Sequence, residues 1–259
     1  MITNRTRFFI NGILLSAVGV LMRTAQLIFS AYVSRTVGAE GVGLNTLVMT
    51  VYAFALTFAT SGISLSVTRL VASKIGEGRT GEAGRVLRGA VIYALFFGAL
   101  AFLLLFSLSG ALAERIALNG GVRSALLVLS FSLIPSALSA VINGYFVGVK
   151  KVVFNAIVQV AGQIFRIVFT LYLFTYAIGK GEVFAVNALC LGASLTEIVC
   201  FFLSLILLLI DRLGYKGSVR GSELAPVARM AFPLAISAYI RSALLTLEHS
   251  LIPKRLKKQ

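Results

Sequence analysis

The chain has 259 residues, 58% of them hydrophobic and only 13% charged, with a mean hydropathy of +0.95. Soluble domains run nearer about 45–50% apolar and 25% charged, so a water-soluble globular fold is excluded. The formal net charge of +15 would favour a nucleic-acid partner only if the basic residues shared one face, and their distribution along the chain argues otherwise.

A bilayer-spanning helix needs roughly 20 mostly apolar residues. Runs of that kind cover residues 8–37, 42–71, 86–108, 124–149, 152–177, 183–210 and 227–252, which predicts an all-α integral membrane protein of seven spans. The connections are short and rich in glycine, as in Gly38-Ala-Glu-Gly-Val-Gly43, Asn119-Gly-Gly121 and Gly179-Lys-Gly181, and leave no room for an extramembrane domain. The amino-terminal apolar run follows Asn4-Arg-Thr-Arg7 but is long and carries Arg23 where a leader would need a small-residue cleavage site, so it reads as an uncleaved first helix. Ser61-Gly62 is expected to loosen the second span, and Pro135 and Pro233 remove backbone hydrogen bonds within the fourth and seventh. Gly144 and Gly148, at GxxxG spacing, predict a close-packing helix face. Cys190 and Cys200 both fall in the sixth span and read as buried thiols rather than a disulfide.

Charge orients the spans. With the amino terminus inside, the cytoplasmic segments hold Arg5, Arg7, Arg69, Lys74, Arg79, Arg85, Arg88, Lys150, Lys151, Arg212, Lys216, Arg220 and Arg229, against Arg35, Arg115, Arg123 and Lys180 outside. That alternation is the positive-inside bias of a multi-span protein of the cytoplasmic membrane and not a nucleic-acid surface. Lys254, Arg255, Lys257 and Lys258 depart from it, because after the seventh span they finish outside. Met22-Arg-Thr-Ala25 and Ile240-Arg-Ser-Ala243 place one arginine near the middle of the first and the seventh helix alike, the weak symmetry of duplicated transporter halves. The expected organisation is a six-helix transmembrane lobe over residues 1–222, and the first helix of a truncated second lobe over 223–259.

Charged groups at membrane depth are costly, so each is a candidate functional residue. Arg23, Arg166, Glu197 and Arg241 stand inside spans, on polar faces with helical spacing: Ser16, Gly19, Arg23, Gln26 and Ser30; Asn155, Gln159, Gln163 and Arg166; Asn187, Ser194 and Glu197; Ser237, Arg241 and Glu248. These faces are expected to converge on a hydrated, net cationic cavity, with Arg23, Gln26, Gln159, Gln163, Arg166, Glu197 and Arg241 as the substrate-binding set. The competing reading makes Arg166 and Glu197 a structural ion pair between neighbouring helices, with the amides as interhelical glue. Arginine keeps its charge when desolvated and forks onto phosphate oxygens, so such a cavity suits an anionic substrate such as a lipid-linked diphosphate sugar.

Glu40, Glu77, Glu82, Glu114, Glu182, Asp211 and Glu223 are scattered loop carboxylates that nothing in the sequence pairs, and His249 has no partner for chemistry. The chain carries no GxxxxGK[ST] loop, no HExxH and no cysteine cluster, so no enzyme activity, metal or cofactor is expected.

Several stretches together resemble a known family. They are Asn11-Gly12, the mid-helix Arg23, the Ser34-Arg-Thr-Val-Gly-Ala-Glu-Gly-Val-Gly43 turn, the segment from Ser64 to Val71, Asn143-Gly-Tyr-Phe-Val-Gly148, and Leu247-Glu-His-Ser-Leu-Ile-Pro-Lys-Arg-Leu256. They resemble the polysaccharide and sporulation branch of the multidrug/oligosaccharidyl-lipid/polysaccharide (MOP) exporter superfamily, most of all the stage V sporulation protein B type, along essentially the whole chain. The resemblance implies a MATE-like fold of two six-helix lobes around a V-shaped cavity, of which this chain matches the first lobe and one helix of the second. It implies a flippase of lipid-linked oligosaccharide or peptidoglycan precursor, acting in the bilayer with a C-terminal half. Lipid-II flippases of the superfamily carry an essential arginine in the first helix, and Arg23 sits at the comparable place; their second-helix arginine has no counterpart around Thr50 to Tyr52. The remaining readings are a non-transporting fragment or split subunit, and a cation-coupled drug exporter.

Overall fold

The computed structural model describes residues 2–60, 62–116, 121–177, 181–212 and 221–256, with side chains placed between residues 19 and 240 except at 80, 115, 116, 121 and 212. Among the described residues eight α-helices follow in chain order: α1 (Ile2–Thr60), α2 (Ile63–Gly76), α3 (Ala83–Ile116), α4 (Gly121–Ser130), α5 (Leu133–Gly148), α6 (Val152–Ala177), α7 (Glu182–Arg212) and α8 (Leu224–Leu256). Among the described residues four helices are long and apolar enough to cross a membrane, or five if α4 and α5 count as one bent span. The first of the four, Gly19–Gly76, holds the second predicted span and the larger part of the first.

Those two spans meet at Gly38, whose φ of 79° and ψ of 172° interrupt the helix at a single residue. The expected loop from Gly38 to Gly43 is therefore far shorter, because glycine takes the left-handed turn alone and helix resumes at Ala39. The second predicted span is not continuous either. α1 ends at Thr60, Gly62 has φ +74°, and α2 begins at Ile63. A Cβ at Gly62 would lie 2.3 Å from the Ala231 carbonyl oxygen, so the break also lets α8 approach α2 closely.

The fourth span bends by 41° between α4 and α5. The cause is Pro135, which offers no N–H to the carbonyl of Phe131, and whose ring crowds it. Ser132 bridges the gap, its amide and hydroxyl both donating to the Leu129 carbonyl, at 3.1 and 2.7 Å. Below the bend, the predicted glycine face is real: a Cβ at Gly144 would sit 2.4 Å from the Ser64 carbonyl oxygen, and one at Gly148 2.9 Å from Val71 Cβ. Thr68 Oγ1 donates to the Gly144 carbonyl at 3.0 Å, binding α2 to α5. Val67, Val71, Val86, Leu129, Leu133 and Phe146 are sealed in the core. The outward faces, with Leu27, Ile28, Phe96 and Ile206 exposed, are what a lipid solvent accepts.

α6 and α7 run antiparallel through small-residue contacts. Gly162 packs against Cys200 and Gly192 against Thr170, and both cysteines are free thiols.

Several of the loop carboxylates are paired, contrary to the sequence expectation. Glu82 meets Lys74 and Arg85, each at 2.7 Å, and Glu223 lies 3.6 Å from Lys74 and 3.9 Å from Arg85. The amide of Glu223 donates to the Arg85 carbonyl at 3.1 Å, tying the entry of α8 to the start of α3. Asp211, with its side chain 1% exposed, pairs with Lys151 and accepts from Tyr145 Oη at 3.0 Å. Most of these partners lie tens of residues apart, out of reach of local sequence reasoning. In the turn between α2 and α3, the hydrogen bond from Lys74 holds the Glu82 carboxyl below its ordinary range.

Candidate functional site

Two contiguous cavities open among α1, α5, α6 and α7. The larger, about 480 Å³, is lined by Gly19, Met22 and Arg23 of α1, by Asn143 and Val147 of α5, and by Val152, Asn155, Ala156 and Gln159 of α6. The smaller, about 260 Å³, shares Asn143, Asn155 and Gln159 and continues to Ser136, Ser139 and Glu197. Among the described residues, Arg23 is the only charge in the lining of the first, and Glu197 the only one in the second. The site is thus polarised from a guanidinium to a carboxyl across three carboxamides.

Local helix geometry explains which groups arrive there. Gly19 and Arg23 are four residues apart, hence one turn apart on one face, and Asn155 and Gln159 repeat the spacing on α6. Gln26 lies one turn further along and is taken by Gln163, whose Nε2 donates to Gln26 Oε1 at 2.9 Å. That pair is a cross-helix bond between α1 and α6 instead of two free amides. Asn155 is buried, its Nδ2 donating to the Asn143 carbonyl at 3.3 Å. Gln159 and Asn143 remain exposed side chains in both chambers.

On α7 the predicted stripe divides. Asn187 accepts from Ser124 at 3.0 Å and Ser194 donates to the Val128 carbonyl at 3.2 Å, so both are spent on α4. Only Glu197 reaches the cavity, where its Oε2 accepts from Ser136 Oγ at 2.9 Å just below the Pro135 bend. Tyr52 and Ser132 complete the cluster through a 2.7 Å hydroxyl–hydroxyl bond. Sequence reasoning missed Tyr52, Ser132, Ser136, Ser139 and the cavity role of Asn143. Serines and one tyrosine in apolar runs carry too little signal, although Ser132, Ser136 and Ser139 do recur at helical spacing beside a proline.

Arg166 is half-buried and lines neither cavity, and among the described residues it forms no ion pair with Glu197. The structural-pair reading is not observed. Arg241 and its neighbour Glu248 lie outside the described side chains.

The model of a family described as polysaccharide biosynthesis protein matches residues 9–257. The chain belongs to that family, within the MOP superfamily. Solved structures agree in fold. An outward-facing multidrug resistance MATE family transporter of the MOP superfamily is 20% identical, with a TM-score of 0.69 over 85% of this chain and 50% of the other. A MOP superfamily transporter from Pyrococcus furiosus, described as having a binding pocket of reversed polarity that suggests a different function, is 20% identical, with a TM-score of 0.67 over 86% and 50%. A MATE structure in the straight conformation is 16% identical, with a TM-score of 0.66 over 87% and 52%. No curated protein matches the chain. The chain spans about half the length of the solved transporters it matches. The fold shared with these transporters is a multi-pass, all-helical membrane fold.

Proposed function

We propose that the chain forms the N-terminal half of a flippase that exports a lipid-linked oligosaccharide or peptidoglycan precursor across the cytoplasmic membrane, with its amino terminus in the cytoplasm. The observation that carries this is Arg23, an exposed guanidinium standing, among the described residues, as the only charge in a carboxamide-lined cavity of about 480 Å³. In low dielectric such a fork binds the diphosphate of a polyprenyl-linked sugar, while Asn143 and Gln159 hydrogen-bond its oxygens. Residues 1–222 would act as one lobe and 223–259 open the second, with the Lys74, Arg85, Glu82 and Glu223 cluster at the cytoplasmic junction. Arg166 and Arg241 would set the potential around this site.

The test is Arg23→Ala at the native locus, reading translocation of a fluorescent glycan-lipid in inverted membrane vesicles by an impermeant quencher. Removing one charge-assisted hydrogen bond to phosphate should slow translocation about 10–100-fold. Unchanged translocation at normal expression overturns the assignment.

Glu197 favours one competing reading, a cation-coupled drug exporter, because an intramembrane carboxyl in a cavity suits a cationic cargo. Efflux of toxic cations that survives Arg23→Ala and vanishes in Glu197→Gln would select it.

A further inference from the structure

The two chambers differ in charge, and that difference bears on which glycan is carried; this inference rests on the flippase reading above. A diphosphate held at Arg23 in the larger chamber joins two unlike groups. The polyprenyl chain belongs against lipid. The sugar attached to the second phosphate must extend along Asn143, Asn155 and Gln159, the residues common to both chambers, and so enters the smaller one.

What it meets there is an acceptor-rich surface. Glu197 uses Oε2 on Ser136, and among the described residues its Oε1 has no partner. Ser139 Oγ lines the same chamber, buried and, among the described residues, without a hydrogen-bond partner. Asn155 Oδ1 is a further acceptor, since the amide's Nδ2 is already committed to Asn143. Among the described residues no cation lines this chamber, and Arg166 does not reach Glu197 to neutralise it.

We infer that Glu197 is a specificity-determining residue: it admits a neutral or amine-bearing sugar next to the diphosphate and rejects a carboxylated one. A hydroxymethyl or amino group donates to Oε1, whereas a uronate carboxylate has no proton to donate and is set against a like charge. Such juxtaposition corresponds to roughly a hundredfold in affinity.

The experiment places the full chain in lipid nanodiscs and measures equilibrium binding of two synthetic probes, a polyprenyl diphosphate carrying glucose and one carrying glucuronate. They differ only in a hydroxymethyl group replaced by a carboxylate. The wild type is expected to bind the glucuronate probe about a hundredfold more weakly. In Glu197→Gln, which keeps an acceptor for Ser136, the ratio should fall to about threefold, through a gain for glucuronate rather than a loss for glucose. Arg23→Ala should weaken both probes alike.

Equal wild-type affinities overturn the inference without any variant, and so does an unchanged ratio in Glu197→Gln. If Arg23→Ala leaves both affinities intact while the ratio still depends on Glu197, the diphosphate assignment fails and the discrimination at Glu197 stands. If the wild type binds neither probe, both readings fall.

Discussion

Replacing Gly144 by alanine tests whether the α2–α5 contact is the stiff element behind the cavity. The new Cβ would stand 2.4 Å from the Ser64 carbonyl oxygen and 3.0 Å from both Ser64 Cα and Val67 Cβ. Two of these three are backbone atoms, so relief requires moving a helix and not a rotamer. Overpacking of this kind costs about 1–3 kcal/mol. Separating the helices also stretches the Thr68–Gly144 bond, worth about 0.6 kcal/mol in a membrane. Against this, alanine in mid-helix gains about 0.5–1 kcal/mol over glycine. The net expectation is a loss of roughly 1–3 kcal/mol. Gly43→Ala is the matched control, because a Cβ there meets nothing within 4 Å and only the helical gain remains. Unfolding of both variants in mixed micelles, titrated with a denaturing detergent and followed by circular dichroism, gives the comparison. If Gly144→Ala is as stable as Gly43→Ala, the helices are not in close contact and the packing argument fails.

Two further predictions concern the charged ends of the helices. Lys151→Ala leaves the enclosed Asp211 carboxyl without its cation and should cost about 2 kcal/mol, less than a fully enclosed pair because Lys151 is 44% exposed; adding Asp211→Asn should recover part of the loss, and a double variant no more stable than the single one refutes the pairing. For the turn from α2 to α3, the Glu82 carboxyl sits lower in the folded chain than its ordinary 4.5, so its contribution is fully present above that pH and is lost as the pH falls through the depressed folded value. Protection of the Arg79 and Glu82 amides against hydrogen exchange should therefore hold near neutrality and decline in acid. Glu82→Gln should flatten that decline, and an acid limb that persists in the variant would show that another group is responsible.

What could be read from the sequence followed from periodicity and from backbone chemistry. Each apolar run is helical, and Pro135 and Gly62 interrupt their spans where a missing N–H or a left-handed φ requires it. The cavity face of α1 was legible because Gly19 and Arg23 obey a fixed spacing. The Gly144–Gly148 face was legible for the same reason. Pairings between distant segments were not. Ser136 and Glu197 are 61 residues apart, Tyr145 and Asp211 66, and Gln26 and Gln163 137. No local pattern marks which of several serines or amides will meet across helices, so the sequence leaves Gln26 and Gln163 open between ligand and interhelical glue, and does not show that they bond each other. Arg166 and Glu197 show the converse. They occupy neighbouring helices at similar depth, yet depth alone does not set azimuth, and Glu197 turns toward α5.

The bend and the site are one construction. Pro135 opens the helix between Phe131 and Leu133, and the gap lets Ser132 bond Tyr52 while Ser136, one turn on, reaches Glu197. Each hydroxyl therefore ties the flexible point of the fourth span to a different neighbour, α1 on one side and α7 on the other. A cargo group that took Glu197 from Ser136 would release one tie and leave the other. Both ties are made by side chains of the bent fourth span, and leaving either hydroxyl unpaired inside the protein would cost more than at the surface.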